Sequence, residues 1–155
     1  MPGATCLPEQ AASMDLPGLC LALAAAGAST TPVFLPATQW TLAWTHSIEK
    51  VRWEEDYAVQ PGPGPQANPI LHALAARVRG SAAGMEPPPD AQLANGWYHY
   101  VPQQRKPALL RLTRSEFTAD YELCLEGRCQ PMAHWLASDG GVTLLWACSA
   151  PKQSP

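Results

Sequence analysis

Gln39-Trp40-Thr41-Leu42-Ala43-Trp44-Thr45-His46-Ser47-Ile48-Glu49-Lys50-Val51-Arg52-Trp53-Glu54-Glu55-Asp56-Tyr57-Ala58-Val59 is the stretch whose reading decides the fold. Successive side chains on a strand point to opposite faces. Trp40, Leu42, Trp44 and His46 therefore share one face of a first strand, and Trp53, Glu55, Tyr57 and Val59 share one face of a second. A β-hairpin is the economical reading. With Glu49 and Lys50 as a two-residue loop, Ile48 pairs with Val51, His46 lies opposite Trp53 and Trp44 lies opposite Glu55, so both aromatic faces coincide. Glu-Lys is not a favoured primed turn, which leaves a longer loop open.

Outward from the hairpin the same period of two recurs in short runs: Leu19 to Leu23, Thr31 to Leu35, Trp97 to Val101, Leu109 to Thr113, Tyr121 to Leu125 and Val142 to Cys148. Asn95-Gly96 carries the signature of a type I′ turn ahead of Trp97. Pro61 to Pro69 reads as an exposed, semi-extended loop, and Gly80 to Pro89 as a loop of restricted shape. Asn68 to Arg79 supports two readings. Asn68 as cap, Pro69 at the first helical position and Gly80 beyond an Ala-rich run suit a helix, whereas the alternation of His72, Leu74, Ala76 and Val78 suits a strand. Seven or eight short strands separated by turns describe a mainly β domain, a small antiparallel sandwich or partly open barrel.

The chain has 155 residues, 46% of them hydrophobic, enough for one core and short for two. Residues 1–15 lack periodicity and read as a loose leader, 16–150 as a single β domain and 151–155 as a tail. A net charge of −3 with 15% charged residues offers no basic surface for a phosphate backbone, so nucleic-acid binding is disfavoured. Leu16 to Ala28, the longest apolar stretch, is about half of the roughly 20 residues that cross a bilayer, so the chain is expected not to span a membrane. No Lys or Arg precedes Lys50. The positive region of a signal peptide is therefore missing, and sequence alone reads as cytoplasmic.

The segment Thr41 to Tyr57 resembles the signature of the bacterial "domain of unknown function 1850" family. Ala76 to Pro88 with Gly80, Gly84 and Met85, then Gly96-Trp97-Tyr98, then Tyr121 to Cys124 with Gly127 and Cys129, agree in the same order. The resemblance implies a strand, not a helix, leading into the Gly80 to Gly84 loop. It also implies an accessory role beside a tripartite ATP-independent periplasmic (TAXI-type) transporter, with the permease or its substrate-binding protein as partner, and a periplasmic location. No activity is implied, because the family is named for lacking one.

The residues themselves single out His46 and Glu55, two polar groups on an otherwise apolar face. Imidazole and carboxylate could shape a pocket lined by Trp44, Trp53 and Tyr57 for a small ligand or divalent ion; the structural alternative is that they neutralise each other and fix the hairpin. Gly84 and Met85 belong to a loop able to approach a ligand closely. Ser47 beside His46 is no nucleophile and base pair, since neighbours on a strand face opposite ways. Glu49, Glu54 and Asp56, alternating with Lys50 and Arg52, read as a solvated charge ladder. His72, His99 and His134 lack metal-ligand spacing, and no cofactor is expected.

Five cysteines leave one over. Cys124 and Cys129 flank Glu126-Gly127, and a two-residue loop there puts them in a non-hydrogen-bonded pair within disulfide range. A bridge is expected in an oxidising compartment and two adjacent thiols otherwise. Cys20 and Cys148, on the first and last strands, are the second candidate pair. The leading expectation is thus a non-enzymatic ligand-binding or accessory protein. The alternative is a small metal-dependent or acid-base enzyme using His46 and Glu55. An enzyme requires a concave site with paired groups, whereas an accessory protein can carry an apolar outer patch.

Overall fold

The computed structural model describes residues 15–27, 29–46, 48, 50–80 and 88–151. Expectations for residues 1–14, Gly84, Met85 and 152–155 lie outside that set. The described residues form eleven strands: β1 (Leu16–Leu23), β2 (Val33–Leu35), β3 (Gln39–Thr45), β4 (Arg52–Gln60), β5 (Ile70–Arg79), β6 (Gln92–Ala94), β7 (Trp97–Tyr100), β8 (Leu110–Thr113), β9 (Glu122–Leu125), β10 (Arg128–Pro131) and β11 (Val142–Ala150). They make two antiparallel sheets, a smaller one in the order β2-β1-β11-β8 and a larger one in the order β10-β9-β3-β4-β5-β7-β6. Neither closes into a barrel, and the architecture is a β sandwich.

The core forms where the two inner faces meet. Leu19, Leu21, Leu35, Leu112 and Leu145 of the smaller sheet pack with Trp40, Leu42, Tyr57, Val59, Leu71, Ala73 and Leu123 of the larger, and Met132 closes one edge. Leu19, Leu21, Leu42, Leu123 and Leu145 are sealed from solvent. Gly18 permits the close approach of β2, because a Cβ there would run into the Leu35 carbonyl and the Phe34 ring. On the side of the smaller sheet away from the core, Cys20 pairs with Trp146 and Phe34, and Ala22 with Leu144, while Arg111 and Thr113 of β8 continue the face as polar residues.

β5 is a strand, as the family resemblance implies. It is hydrogen-bonded between β4 and β7, so two ladders override the helix propensity of its alanines. Between Asp56 and Tyr57 the β4–β5 register shifts, Asp56 facing Ala75 and Tyr57 facing Ala73. Leu74 is the extra residue of that bulge and is exposed.

The β3–β4 hairpin forms, but its register differs by two residues from the expected one. Trp44 opposes Trp53, Leu42 opposes Glu55 and Trp40 opposes Tyr57. The His46 N–H donates to the Val51 carbonyl and the Lys50 N–H to the His46 carbonyl, each at 2.9 Å, so the strands part at the His46–Val51 pair. A two-residue type I′ turn needs positive φ at both central positions. Lys50 adopts a positive φ of 57° next to the His46–Val51 pair, a register that sets the indoles of Trp44 and Trp53 against each other. The other tight turns follow expectation: Asn95-Gly96 and Glu126-Gly127 have φ of 53° and 84°, and 51° and 79°, the type I′ pattern. β6 and β10 are partners that the apolar pattern did not reveal, since every residue of both is exposed.

Candidate functional site

Strand alternation places Trp53, Glu55 and Tyr57 on the inner face of the larger sheet. Tyr57 lies within the core, packed against Trp40 at 4.7 Å between ring centroids. Trp53 and Glu55 lie outside that cluster of fully packed residues and stay half-buried. Around them runs a row of rings. Tyr121 meets Trp44 at 5.9 Å, Trp44 stacks near-parallel on Trp53 at 6.0 Å, and the Tyr100 ring meets Trp53 edge-on at 6.5 Å. Ala76, opposite both Glu55 and Tyr100, has a side chain small enough to let the phenol of β7 reach across β5.

Glu55 is the acid inside this enclosure. Its Oε2 accepts a 2.8 Å hydrogen bond from the Tyr57 hydroxyl. Burial pushes its carboxyl above the ordinary carboxylate range, and that hydrogen bond only partly offsets the effect. Its charge is felt by three phenols. Burial and then Glu55 raise Tyr57 well above the usual tyrosine range, push Tyr100 up to about 12 and raise Tyr121. Among the described residues the buried side-chain polar atoms without a partner are the indole nitrogens of Trp40 and Trp53. Oε1 of Glu55 is not one of them, and no described residue donates to it.

Of the expected site residues, the structure thus brings together Glu55, Trp44, Trp53 and Tyr57. It does not bring His46 to them. His46 pairs with Val51 beyond the end of β3, four residues from Leu42, the partner of Glu55; that is roughly 13 Å along a strand. The two-residue shift in register is the cause. His46 Nδ1 instead accepts a hydrogen bond from the Ile48 N–H at 3.3 Å. Tyr100, which reads from sequence as a core or rim aromatic, and Tyr121 belong to the enclosure and are not among the expected site residues. The alternation of Tyr98 and Tyr100 marks a shared face, yet only the strand order reveals that β7 lies two strands from Glu55. Among the described residues no group of three or more His, Cys, Asp or Glu side chains is arranged to hold a metal ion.

The opposite face of the larger sheet carries the charge ladder. Arg77 binds Glu54 at 2.7 Å and Asp56 at 2.8 Å, while Arg52 binds Glu54 at 2.8 Å and also Glu122. Thr41 donates to Asp56 at 2.7 Å. Burial works to raise the two ladder carboxylates Glu54 and Asp56, but the guanidinium hydrogen bonds, with Thr41 at Asp56, outweigh it and leave both below their ordinary values. A groove of about 520 Å³ runs over this face beside the Cys124–Cys129 disulfide. Two of its lining carboxylates, Glu54 and Asp56, are already paired with Arg52 and Arg77. Both expected bridges are present: Cys20–Cys148, with Cα atoms 5.9 Å apart, and Cys124–Cys129, at 3.8 Å.

A second polar cluster escaped the sequence reading. Arg114, with a side chain 1% exposed, donates to both oxygens of Asp120 and to the Thr143 hydroxyl. Asp120 also accepts the Ala133 N–H at 2.8 Å. This knot ties the loop after β8 to β11 and the turn after β10. All three side-chain partners of the guanidinium fork are thereby satisfied, which marks it as structural.

Fold and site together define an antiparallel β sandwich carrying a half-buried carboxylate beside a row of indoles and phenols on the inner face of its larger sheet. The chain belongs to the family described as a domain of unknown function (DUF1850), whose family model matches residues 40–132, more than half of the sequence. That match covers β3 from Trp40 and the whole of β4 to β10, and so contains all the residues of the enclosure. Comparison with curated proteins and with solved structures returns no match. Among the described residues no helix is long and apolar enough to cross a membrane.

Proposed function

We propose that this chain is a non-enzymatic binding protein that holds a small ligand at Glu55, within the rings of Trp44, Trp53, Tyr57, Tyr100 and Tyr121. The observation that carries this reading is Oε1 of Glu55. A half-buried carboxylate with one oxygen held by a phenol and the other without a described donor is left able to take a ligand's donor or charge. Aromatic walls with one placed polar group are the usual composition of a small-molecule site. Acid-base chemistry at His46 and Glu55 draws no support from the separation of the two groups.

An accessory role beside a TAXI-type transporter, with the permease or its substrate-binding protein as partner, follows from the family resemblance. The apolar outer face around Phe34, Leu144 and Trp146 supports contact with such a partner. The two disulfides support an oxidising compartment. The site reading is tested by a fragment screen that follows the six tryptophan indole N–H resonances by NMR. Hits should move the Trp44 and Trp53 signals together, and Trp53→Leu should abolish them. If a library of charged and neutral fragments leaves both resonances in place, the pocket does not exist.

A further inference from the structure

We infer that the ligand of this enclosure is a small organic cation, a quaternary ammonium or protonated amine, seated against Oε1 of Glu55 and the neighbouring rings of Trp44, Trp53 and Tyr100. The inference rests on the binding reading above and adds the chemical class.

Charge provides the first line of argument. The basic side chains of β4 and β5, Arg52 and Arg77, are bound to Glu54, Asp56 and Glu122 on the opposite face, and Arg79 lies over the Trp97 ring at 5.4 Å. Trp97 faces Arg79 across the β5–β7 ladder, also away from Glu55. Among the described residues no guanidinium or ammonium offsets the Glu55 charge. An anionic ligand would meet an unscreened carboxylate, and a neutral one would leave that charge buried still deeper. A cation removes the cost.

The rings provide the second. Indole and phenol faces attract a cation through their quadrupoles, most strongly where water is partly excluded, and cages of such rings favour ammonium groups whose hydration shell is easily shed. A hard divalent ion is disfavoured on the same residues, because it needs six or more oxygen ligands and the enclosure supplies one carboxylate and phenols.

Isothermal titration and tryptophan fluorescence with tetramethylammonium chloride, set against sodium chloride, tert-butanol and pivalate, test the inference. Saturable binding of tetramethylammonium is expected, at least tenfold tighter than either isostere. Glu55→Gln should weaken it at least tenfold. Tyr100→Leu should weaken it while Tyr100→Phe retains it, with circular dichroism verifying that each variant folds. Equal or tighter binding of tert-butanol or pivalate, lost in Trp53→Leu, would overturn the cation class and leave the pocket standing. Binding of tetramethylammonium unchanged in both Glu55→Gln and Tyr100→Leu would place the cation elsewhere. No binding of tetramethylammonium, with fragments still moving the Trp44 and Trp53 resonances, would likewise reject the class but not the site.

Discussion

At Glu55 the direction of the titration shift fixes a testable sign. A carboxyl raised in the folded state contributes stability that is present below its unfolded value, near 4.5, and is lost as pH rises through the higher folded value. The groups that face it are Tyr57 from its own strand, Tyr100 from β7 and Tyr121 ahead of β9, and all three stay protonated across that window. Urea denaturation of wild type and Glu55→Gln from pH 4 to pH 8 should therefore show the variant gaining on wild type as pH rises. A difference that stays flat would show that Glu55 is not desolvated. The face occupied by Glu55 was legible in the sequence, because alternation of period two needs only local spacing. Its partners were not. A two-residue slip leaves every side chain on the same face, so the apolar pattern cannot tell Trp44 opposite Glu55 from Trp44 opposite Trp53. Turn chemistry at Lys50 decides it, and that turn was the weak point of the reading.

At the scale of the element, the two ionic clusters should respond differently to loss of their arginines. Arg77 lies on a partly exposed ladder, with its partners Glu54 and Asp56 held below their ordinary values. Their contribution is present above the unfolded values of 4.5 and 3.8 and lost as pH falls through the lower folded ones. Arg77→Ala should cost about 1 kcal/mol at neutral pH and flatten the acid limb of the stability profile, read by the same denaturation series. Arg114→Met removes a buried guanidinium together with its bonds to Thr143 and to Asp120, which is itself 23% exposed, and should cost about 2–3 kcal/mol; a loss below about 1 kcal/mol would mean that Asp120 and Thr143 find water instead. The ladder was foreseen because Arg52, Glu54 and Asp56 alternate on one strand. The Arg114–Asp120 knot was not, since a single Arg and a single Asp across a loop show no period. β6 and β10 were missed for a related reason: both are edge strands, wholly exposed, with no apolar face to announce them.

For the whole molecule, the sandwich is closed by covalent links of very different reach. Cys20–Cys148 joins positions 128 apart in sequence and Cys124–Cys129 positions only 5 apart. Loop-entropy arguments assign about 5 kcal/mol to the first and about 2 kcal/mol to the second. Cys148→Ser should thus lower the denaturation midpoint far more than Cys129→Ser. Equal losses would show that strain or packing outweighs loop length. The fold class was recoverable from strand runs and turns, whereas the strand order, which carries Tyr100 and Tyr121 to Glu55, depends on pairings between segments far apart in the chain.

The central claim is that Glu55 is a desolvated acid awaiting a positive partner. Carboxyl ¹³C NMR of Glu55, assigned through Glu55→Gln and titrated with and without tetramethylammonium, measures it directly. The account predicts a midpoint above 4.5 in the free protein that moves down when the cation is added. A midpoint at the ordinary glutamate value, unmoved by the cation, would contradict it.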